Sequence, residues 1–189
     1  KTVPPDLVDQ ALAAGLTTFG ENKIQEAKAK IPLVSSRARW HFIGHLQSNK
    51  ARDAVALFDL IHSVDSVKLA GELNRHAAAA GKTQRILLEV NVAGEASKFG
   101  LRPEDLPAAC AAIRQLPRLA VEGLMTVAPL VGEARPHFRR LRELRDQLGL
   151  RELSMGMSHD YRAAIEEGAT MLRIGSAIFG ERTKHEPLE

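Results

Sequence analysis

Short apolar runs alternate along the chain with longer stretches of helical periodicity. The short runs are rich in Val, Ile, Leu and Phe and are bounded by glycine or polar residues, a pattern typical of buried strands. We predict strands at residues 17–21, 39–46, 59–64, 85–92, 119–127, 152–158 and 170–175. We predict helices at residues 4–15, 22–31, 49–58, 66–81, 102–116, 133–148 and 159–168.

Regular alternation of strand and helix indicates an α/β fold with parallel strands, closed either as a doubly wound sheet or as a barrel. A (β/α)8 TIM barrel needs eight strands and typically about 250 residues, whereas this sequence has 189 residues and one strand too few. We therefore expect the first strand just before Lys1, which would be its last residue. No internal repeat or linker divides the sequence, so a single barrel domain over residues 1–189 is expected.

Composition indicates how large a core the protein can form and in which cellular compartment it is expected. Hydrophobic residues make up 44% of the chain, which is enough for a substantial core. The single cysteine, Cys110, lies on the apolar face of a predicted helix and is expected to be a buried structural thiol. With one cysteine and no apolar run long enough to span a bilayer, we expect a cytoplasmic protein without a membrane partner.

The formal net charge of +3 and the pI near 9.2 raise the question of nucleic-acid binding. The densest basic stretch, residues 135–147, carries an apolar stripe, and its arginines alternate with Glu143 and Asp146. This is the pattern of a solvated helix face. Because aromatic residues are only 4% of the chain and the one in this stretch, Phe138, belongs to the apolar stripe, we expect no nucleic-acid partner.

Arg173 stands inside an apolar run, "TMLRIGS", and a buried guanidinium without a partner is costly. In barrels the functional face is the C-terminal end of the strands, and the last two loops often hold phosphate. Met157 and Ser158 end one predicted strand, and Gly175 ends the next and is followed by Ser176, so their amides and hydroxyls can surround an anion. Arg173 lies on the same side of its strand as Gly175 and should reach the barrel mouth.

Two other interpretations stay open from these residues alone. Arg173 could form a structural ion pair inside the barrel with Glu89 or Glu122. His41 and His45, four residues apart on one strand, could in principle bind a metal. No second ligand cluster stands at suitable spacing, so we expect no metal site and interpret both histidines as polar lining of the barrel.

Several motifs together resemble the pyridoxal phosphate homeostasis protein family, whose members are single-domain relatives of the barrel domain of alanine racemase. Each motif alone is weak, but their order and combination along nearly the whole chain are specific. They are "KT" (1–2), "FGEN" (19–22), "WHFIGHLQSNK" (40–50), "SKFG" (97–100), "GLMT" (123–126), "MGMSHD" (155–160) and "RIGSAIFGER" (173–182).

The resemblance implies that the cofactor is pyridoxal 5′-phosphate. A lysine at the end of the first strand holds it as a Schiff base, and in this sequence that position is Lys1. Asn22 of "FGEN" is then expected beside the cofactor, and Arg173 is expected to face the pyridine nitrogen.

The resemblance also implies a phosphate site made by Ser158 of "MGMS" and by Gly175 and Ser176 of "RIGS". Together with Met157, which was placed at this site above, these residues are the expected phosphate binders. The family more often has threonine at the position of Ser176. Since serine keeps the hydroxyl, the expected phosphate contact is retained.

The function implied is that of a protein that carries or buffers the cofactor for intracellular homeostasis. Most enzymes that use this cofactor place a carboxylate at the pyridine nitrogen, whereas an arginine there disfavours its protonation and makes the ring a poor stabiliser of carbanions. We therefore expect no catalytic residues, a monomer, and apo-enzymes as recipients. The alternative is an amino-acid racemase, which needs an acid and a base on opposite faces of the cofactor. The only tyrosine, Tyr161, is expected to pack structurally.

Overall fold

The computed structural model describes residues 3–95 and 98–180. In this part of the chain seven parallel strands form one sheet, and each strand pairs with the next in sequence order. The strands are β1 (Thr18–Glu21), β2 (Arg39–Phe42), β3 (Leu60–Val64), β4 (Gln84–Glu89), β5 (Leu119–Met125), β6 (Glu152–Met157) and β7 (Met171–Arg173).

Helices connect successive strands and cover the outside of the sheet. They are α1 (Pro5–Ala13), α2 (Ile24–Lys30), α3 (Ala51–Leu57), α4 (Val67–Ala79), α5 (Leu106–Arg114), α6 (Arg135–Gln147), α7 (Tyr161–Glu166) and α8 (Ser176–Phe179). Short 3-10 turns follow α2 at Ile31–Leu33 and precede α3 at Ser48–Lys50. None of the helices in the described ranges is long and apolar enough to cross a membrane.

The sheet curls into a nearly closed barrel, so the predicted α/β fold of TIM-barrel type is confirmed. Parallel strands joined by outer helices need apolar side chains on both faces, which explains why the strands read as near-continuous hydrophobic runs. All seven predicted strands are present. The strand expected to end at Lys1 lies outside the described residues.

The strands end earlier than their apolar runs suggest. β2 stops at Phe42 rather than residue 46, because the chain turns at Gly44 against the backbone of Asn22. β4 stops at Glu89, where Val90 bridges to Leu101 in the following loop. Apolar residues past the strand ends are therefore used for packing in the loops at the barrel mouth.

The larger apolar layer lies between the strands and the helices. Phe42 of β2 and Phe58, which follows α3, are about 1% exposed, and their ring centroids are 5.2 Å apart. Cys110 is buried in the same layer on α5, as predicted. A smaller cluster, made of Leu60, Leu87 and Met125, fills part of the barrel interior.

Arginines of α6 hold the C-terminal end of α7. The carboxylate of Glu167 lies 3.1 Å from Arg139, 3.0 Å from Arg142 and 3.5 Å from Arg135. Hydrogen bonding from Arg139 lowers the pKa of this carboxyl. The contacts fix α7, and with it the loop between β6 and α7, which enters the site described next.

Candidate functional site

A cavity of about 670 Å³ opens at the C-terminal ends of the strands, a volume within the range of small-molecule sites. Six of the seven predicted site residues line it, which the structure thus brings together: Asn22, Met157, Ser158, Arg173, Gly175 and Ser176. The seventh, Lys1, lies outside the described residues. Apolar side chains such as Phe19, Leu172 and Ile178 make up much of the remaining wall.

The Ser158 hydroxyl joins the loops after β6 and β7. Its Oγ accepts hydrogen bonds from the backbone N–H of Gly175, at 3.2 Å, and of Ala177, at 3.3 Å. These amides belong to the first residues around α8, which follows β7 directly. The side chain of Ser176 has no hydrogen-bond partner in the described ranges. Because the two amides are bonded to Ser158 Oγ, the hydroxyl hydrogens of Ser158 and Ser176 are the suitable donors for an anion among these groups.

The backbone amide of Met157, expected among the phosphate donors, is bonded within its own loop. Its backbone N–H donates to Asp160 Oδ1 at 2.6 Å, so this amide is already used inside the loop. Met157 still lines the cavity. The amides of Gly175 and Ala177 likewise already donate to Ser158 Oγ, so the donors at this side of the cavity without a partner in the described ranges include the hydroxyl hydrogens of Ser158 and Ser176.

Arg173 is partly buried at the end of β7 and is held through one edge of its guanidinium. Nη1 donates to Ser154 Oγ and Nη2 donates to the Thr126 carbonyl, both at 2.7 Å. Burial lowers the pKa of Arg173 to about 10, while the charges of Glu89 and Asp160 act in the opposite direction. The side chain is therefore a cation at neutral pH, and its Nε has no partner in the described ranges.

The two carboxylates considered as ion-pair partners of Arg173 have other surroundings. Glu122 pairs with Arg85, at 2.7 Å and 2.9 Å. Glu89 makes no hydrogen bond to Arg173, and burial together with the charge of Asp65 raises its pKa to about 7. Arg173 is thus held by a hydroxyl and a carbonyl rather than by a direct salt bridge.

A chain of polar side chains continues from Ser154 through the barrel interior. Ser154 Oγ lies 2.8 Å from His62 Nδ1, and His62 Nε2 lies 3.0 Å from His41 Nδ1. Burial is the main cause that lowers the pKa of His41 to about 4 and that of His62 well below its ordinary value. Both rings are neutral at physiological pH, so each has one donor and one acceptor nitrogen.

His41 and His45 are separated by the structure. His41 faces inward and bonds to His62, whereas His45 lies at the rim, 3.6 Å from Asp65, with its ring stacked 3.6 Å from that of Phe99. Within residues 3–95 and 98–180, no group of three or more His, Cys, Asp or Glu side chains is placed to hold a metal ion.

Asn22 is positioned by a close backbone approach. A Cβ on Gly44 would lie 2.1 Å from the Asn22 carbonyl oxygen, so only glycine fits there. Next to Asn22, Glu21 forms a buried ion pair with Lys30 of α2 at 2.6 Å. The Asn22 side chain is exposed and has no hydrogen-bond partner in the described part of the chain, which leaves its amide available to a ligand.

Sequence analysis did not identify Ser154, His62 and Thr126 as part of this site. The available signal was a polar residue inside an apolar strand, the same signal that drew attention to Arg173. Ser154 and His62 are 0% and 2% exposed. The contact between Ser154 and His62 could not be predicted, because the two residues are 92 positions apart in sequence.

The fold and the site define a (β/α) barrel protein with a small-molecule cavity at the C-terminal ends of its strands, where an arginine lies beside hydroxyl and amide donors. The model of the alanine racemase N-terminal domain matches residues 6–183. The chain belongs to the pyridoxal phosphate homeostasis protein family, because relatives of that name align with nearly its whole length at high identity.

The relatives that bear the name pyridoxal phosphate homeostasis protein include those of Pseudomonas aeruginosa and Aquifex aeolicus. That of Pseudomonas aeruginosa is 50% identical and that of Aquifex aeolicus 45% identical. Both alignments cover 96% of this chain, with 82% and 84% of the relatives' own lengths. Among solved structures, PipY of Synechococcus elongatus with PLP bound is similar at a TM-score of 0.89 and 40% identity, covering 95% of this chain and 89% of PipY.

Proposed function

We propose that this protein binds pyridoxal 5′-phosphate and carries or buffers it for intracellular homeostasis, without turnover of its own. The observation that carries the proposal is one cavity lined by Ser158, Ser176 and Arg173, which together bring two hydroxyls and a cation to a common space. The names of the relatives and the PLP bound to PipY agree with it.

The donor set fits a phosphate ester. The amides of Gly175 and Ala177 donate to Ser158 Oγ and hold it at the start of α8. The hydroxyl hydrogens of Ser158 and Ser176 are then available to a phosphate oxygen. When bound, the cofactor supplies an aldehyde that can condense with a lysine amine. We assign that amine to Lys1 and assign Asn22 to the side of the ring.

Arg173 suits a carrier better than an enzyme. A guanidinium remains protonated at neutral pH and therefore disfavours a proton on a pyridine nitrogen facing it. A ring that stays unprotonated withdraws electrons weakly, so amino acids bound to it are not readily activated. The protein can thus hold the cofactor with little side chemistry.

A racemase would need a second proton-transfer group across the cavity from the lysine. The only tyrosine, Tyr161, is the first residue of α7, accepts a long hydrogen bond from Arg162 Nε, and lies outside the lining of the main cavity. We therefore expect no racemisation of alanine, serine or glutamate by the loaded protein. Turnover above that of free cofactor would support the racemase alternative.

Lys1 is tested by reduction of the loaded full-length protein with borohydride. We expect mass spectrometry to find one reduced pyridoxyl group on Lys1, because Lys1 would end the strand next to β1. Lys1→Ala should lose the label, while Lys50→Ala, in the 3-10 turn that precedes α3, should keep it. A label on Lys23, Lys50 or Lys98 would refute the assignment.

The proposal also covers the oligomeric state of the protein and the proteins that receive the cofactor from it. We propose that a monomer delivers the cofactor to apo-enzymes. Mixing the loaded protein with an apo-enzyme should restore its activity at a rate that depends on the concentration of both proteins, and analytical ultracentrifugation should give one protomer.

A further inference from the structure

Arg173 is oriented by a hydrogen-bonded chain that begins beneath it. The guanidinium uses Nη1 and Nη2 for Ser154 Oγ and the Thr126 carbonyl. Both bonds anchor the side chain in the barrel wall, and Nε has no hydrogen-bond partner in the described ranges. The direction of the guanidinium therefore depends on where Ser154 presents its lone pairs.

The hydroxyl of Ser154 has one hydrogen and two lone pairs. Arg173 can only donate, so Ser154 Oγ must accept from it. The hydroxyl hydrogen then points to the other neighbour of Ser154, which is His62 Nδ1 at 2.8 Å. This arrangement requires His62 to accept at Nδ1 and to carry its proton on Nε2, which donates to His41 Nδ1 at 3.0 Å.

The opposite arrangement leaves a buried donor without an acceptor. If His62 carried its proton on Nδ1, Ser154 Oγ would accept from both Arg173 and His62. The Ser154 hydrogen would then have no partner in the described ranges, although Ser154 is fully buried. An unsatisfied buried donor is costly, so the chain runs in one direction: Arg173 to Ser154, Ser154 to His62, and His62 to His41.

We propose that His62 is a positioning residue that fixes the Arg173 guanidinium through Ser154. The neutral His62 ring holds the Ser154 hydrogen away from Arg173, so that Arg173 meets only lone pairs and keeps one orientation at the cavity. His41 accepts the Nε2 hydrogen of His62 at its own Nδ1 and so completes the chain. The proposal deepens the function proposed above, since Arg173 is assigned there to the pyridine nitrogen of the cofactor.

The charges around the chain favour neutral rings. Arg173 and Arg85 face His62, and His41 lies near the cations Arg85 and Arg39 and the carboxylates of Asp59 and Glu122. A second positive charge on His62 would stand beside a hydroxyl that already serves the Arg173 cation. Protonation of His62 would therefore break the chain at Ser154.

The tautomer is tested on the cofactor-free protein by ¹⁵N NMR of the histidine rings. We expect His62 with an unprotonated Nδ1 and a proton on Nε2 over the neutral pH range. A proton on Nδ1 would overturn the proposal. This measurement does not depend on cofactor binding, so it separates failure of the inference from failure of the proposed function.

Two substitutions at residue 62 test the link to Arg173 in the loaded protein. His62→Leu removes the acceptor, whereas His62→Asn places an amide oxygen near the position of Nδ1. We expect His62→Leu to raise the apparent pKa of the bound chromophore by about one pH unit, a tenfold change in proton affinity, because a loosely held guanidinium opposes ring protonation less. His62→Asn should restore most of the original value.

Serine substitutions give a second comparison if His62→Leu fails to fold. Ser154→Ala removes the link, and its matched control is Ser63→Ala, since Ser63 is also buried and its hydroxyl has no partner in the described ranges. Ser154→Ala should shift the chromophore as His62→Leu does, while Ser63→Ala should not. Equal shifts in Ser154→Ala and Ser63→Ala, or in His62→Leu and His62→Asn, would overturn the proposal.

Discussion

At the scale of single residues, the barrel interior places a guanidinium that is charged at neutral pH beside imidazole rings that burial keeps neutral. Arg173 stays a cation, while burial keeps His41 and His62 uncharged. Glu89, at the end of β4, has a pKa raised to about 7 by burial and by Asp65. The mouth therefore holds a carboxyl whose charge changes near neutral pH, in the neighbourhood of Arg173.

Glu89→Gln tests this carboxyl. The folded-state pKa of Glu89, about 7, lies above the ordinary value of 4.5. The contribution of this carboxyl to the free energy of unfolding is therefore complete below pH 4.5 and is lost as the pH rises through 7. We expect Glu89→Gln, which imitates the protonated form, to raise the melting temperature at pH 8.5 and to leave it unchanged near pH 4.5. Glu143→Gln, exposed on α6, should give no such gain, and a gain independent of pH would contradict the interpretation.

The phosphate donors can be tested with two ligands. Ser158→Ala with Ser176→Ala removes hydroxyls that would donate to a charged group, each worth roughly 1.5–3 kcal/mol. Pyridoxal 5′-phosphate should therefore lose much more affinity than pyridoxal, as measured by fluorescence titration. If both ligands weaken equally, these hydroxyls do not contact the phosphate.

At the scale of elements, the site is assembled by loops that pack on each other at the ends of the strands. The loop after β1 rests on the loop after β2, where Gly44 meets the backbone of Asn22. The loop after β6 is tied to the start of α8 by Ser158. α8 has four residues, too few to show a helical period in the sequence.

Gly44→Ala tests the first of these contacts. The added methyl would collide with backbone atoms of Asn22, which cannot move aside as a flexible side chain would. We expect a loss of stability of about 1–3 kcal/mol in urea unfolding and weaker cofactor binding. Gly71→Ala, inside α4 with open space around it, should instead be neutral or stabilising by about 0.5–1 kcal/mol.

At the scale of the whole molecule, the barrel encloses polar groups that its strands contribute from distant parts of the sequence. His41 comes from β2, His62 from β3, Ser154 from β6 and Arg173 from β7. Their contacts exist only when the sheet is curled, because these strands are not all neighbours in it. Protonation of the buried histidines is therefore linked to opening of the whole barrel.

This linkage predicts sensitivity to acid. The folded-state pKa of His41, about 4, lies below the ordinary value of 6.5. The contribution of the neutral ring to the free energy of unfolding is therefore present above pH 6.5 and is lost as the pH falls toward 4. We expect the free energy of unfolding in urea to fall less steeply between pH 6.5 and pH 4.5 in His41→Asn than in the original protein. The exposed His159→Asn should keep the original slope; equal slopes in all three proteins would refute the prediction.

The sequence by itself determined the layout of the barrel and predicted six residues that line its cavity. Apolar periodicity identified all seven strands, because burial on both faces of a parallel strand leaves little choice of side chain. Arg173, Ser158 and Gly175 were found from their positions at strand ends, since every parallel strand ends at the same mouth.

Only the tertiary structure decided which partners these residues have. Sequence left Arg173 with Glu89 or Glu122 as partners, whereas the curled sheet places it against Ser154 and the Thr126 carbonyl. The physical reason is that a hydrogen bond depends on distance and direction within a few tenths of an ångström, which the spacing of residues along the chain does not fix. Strand pairing and bulges set that geometry, including the register shift in β6 between Ser154 and Met157.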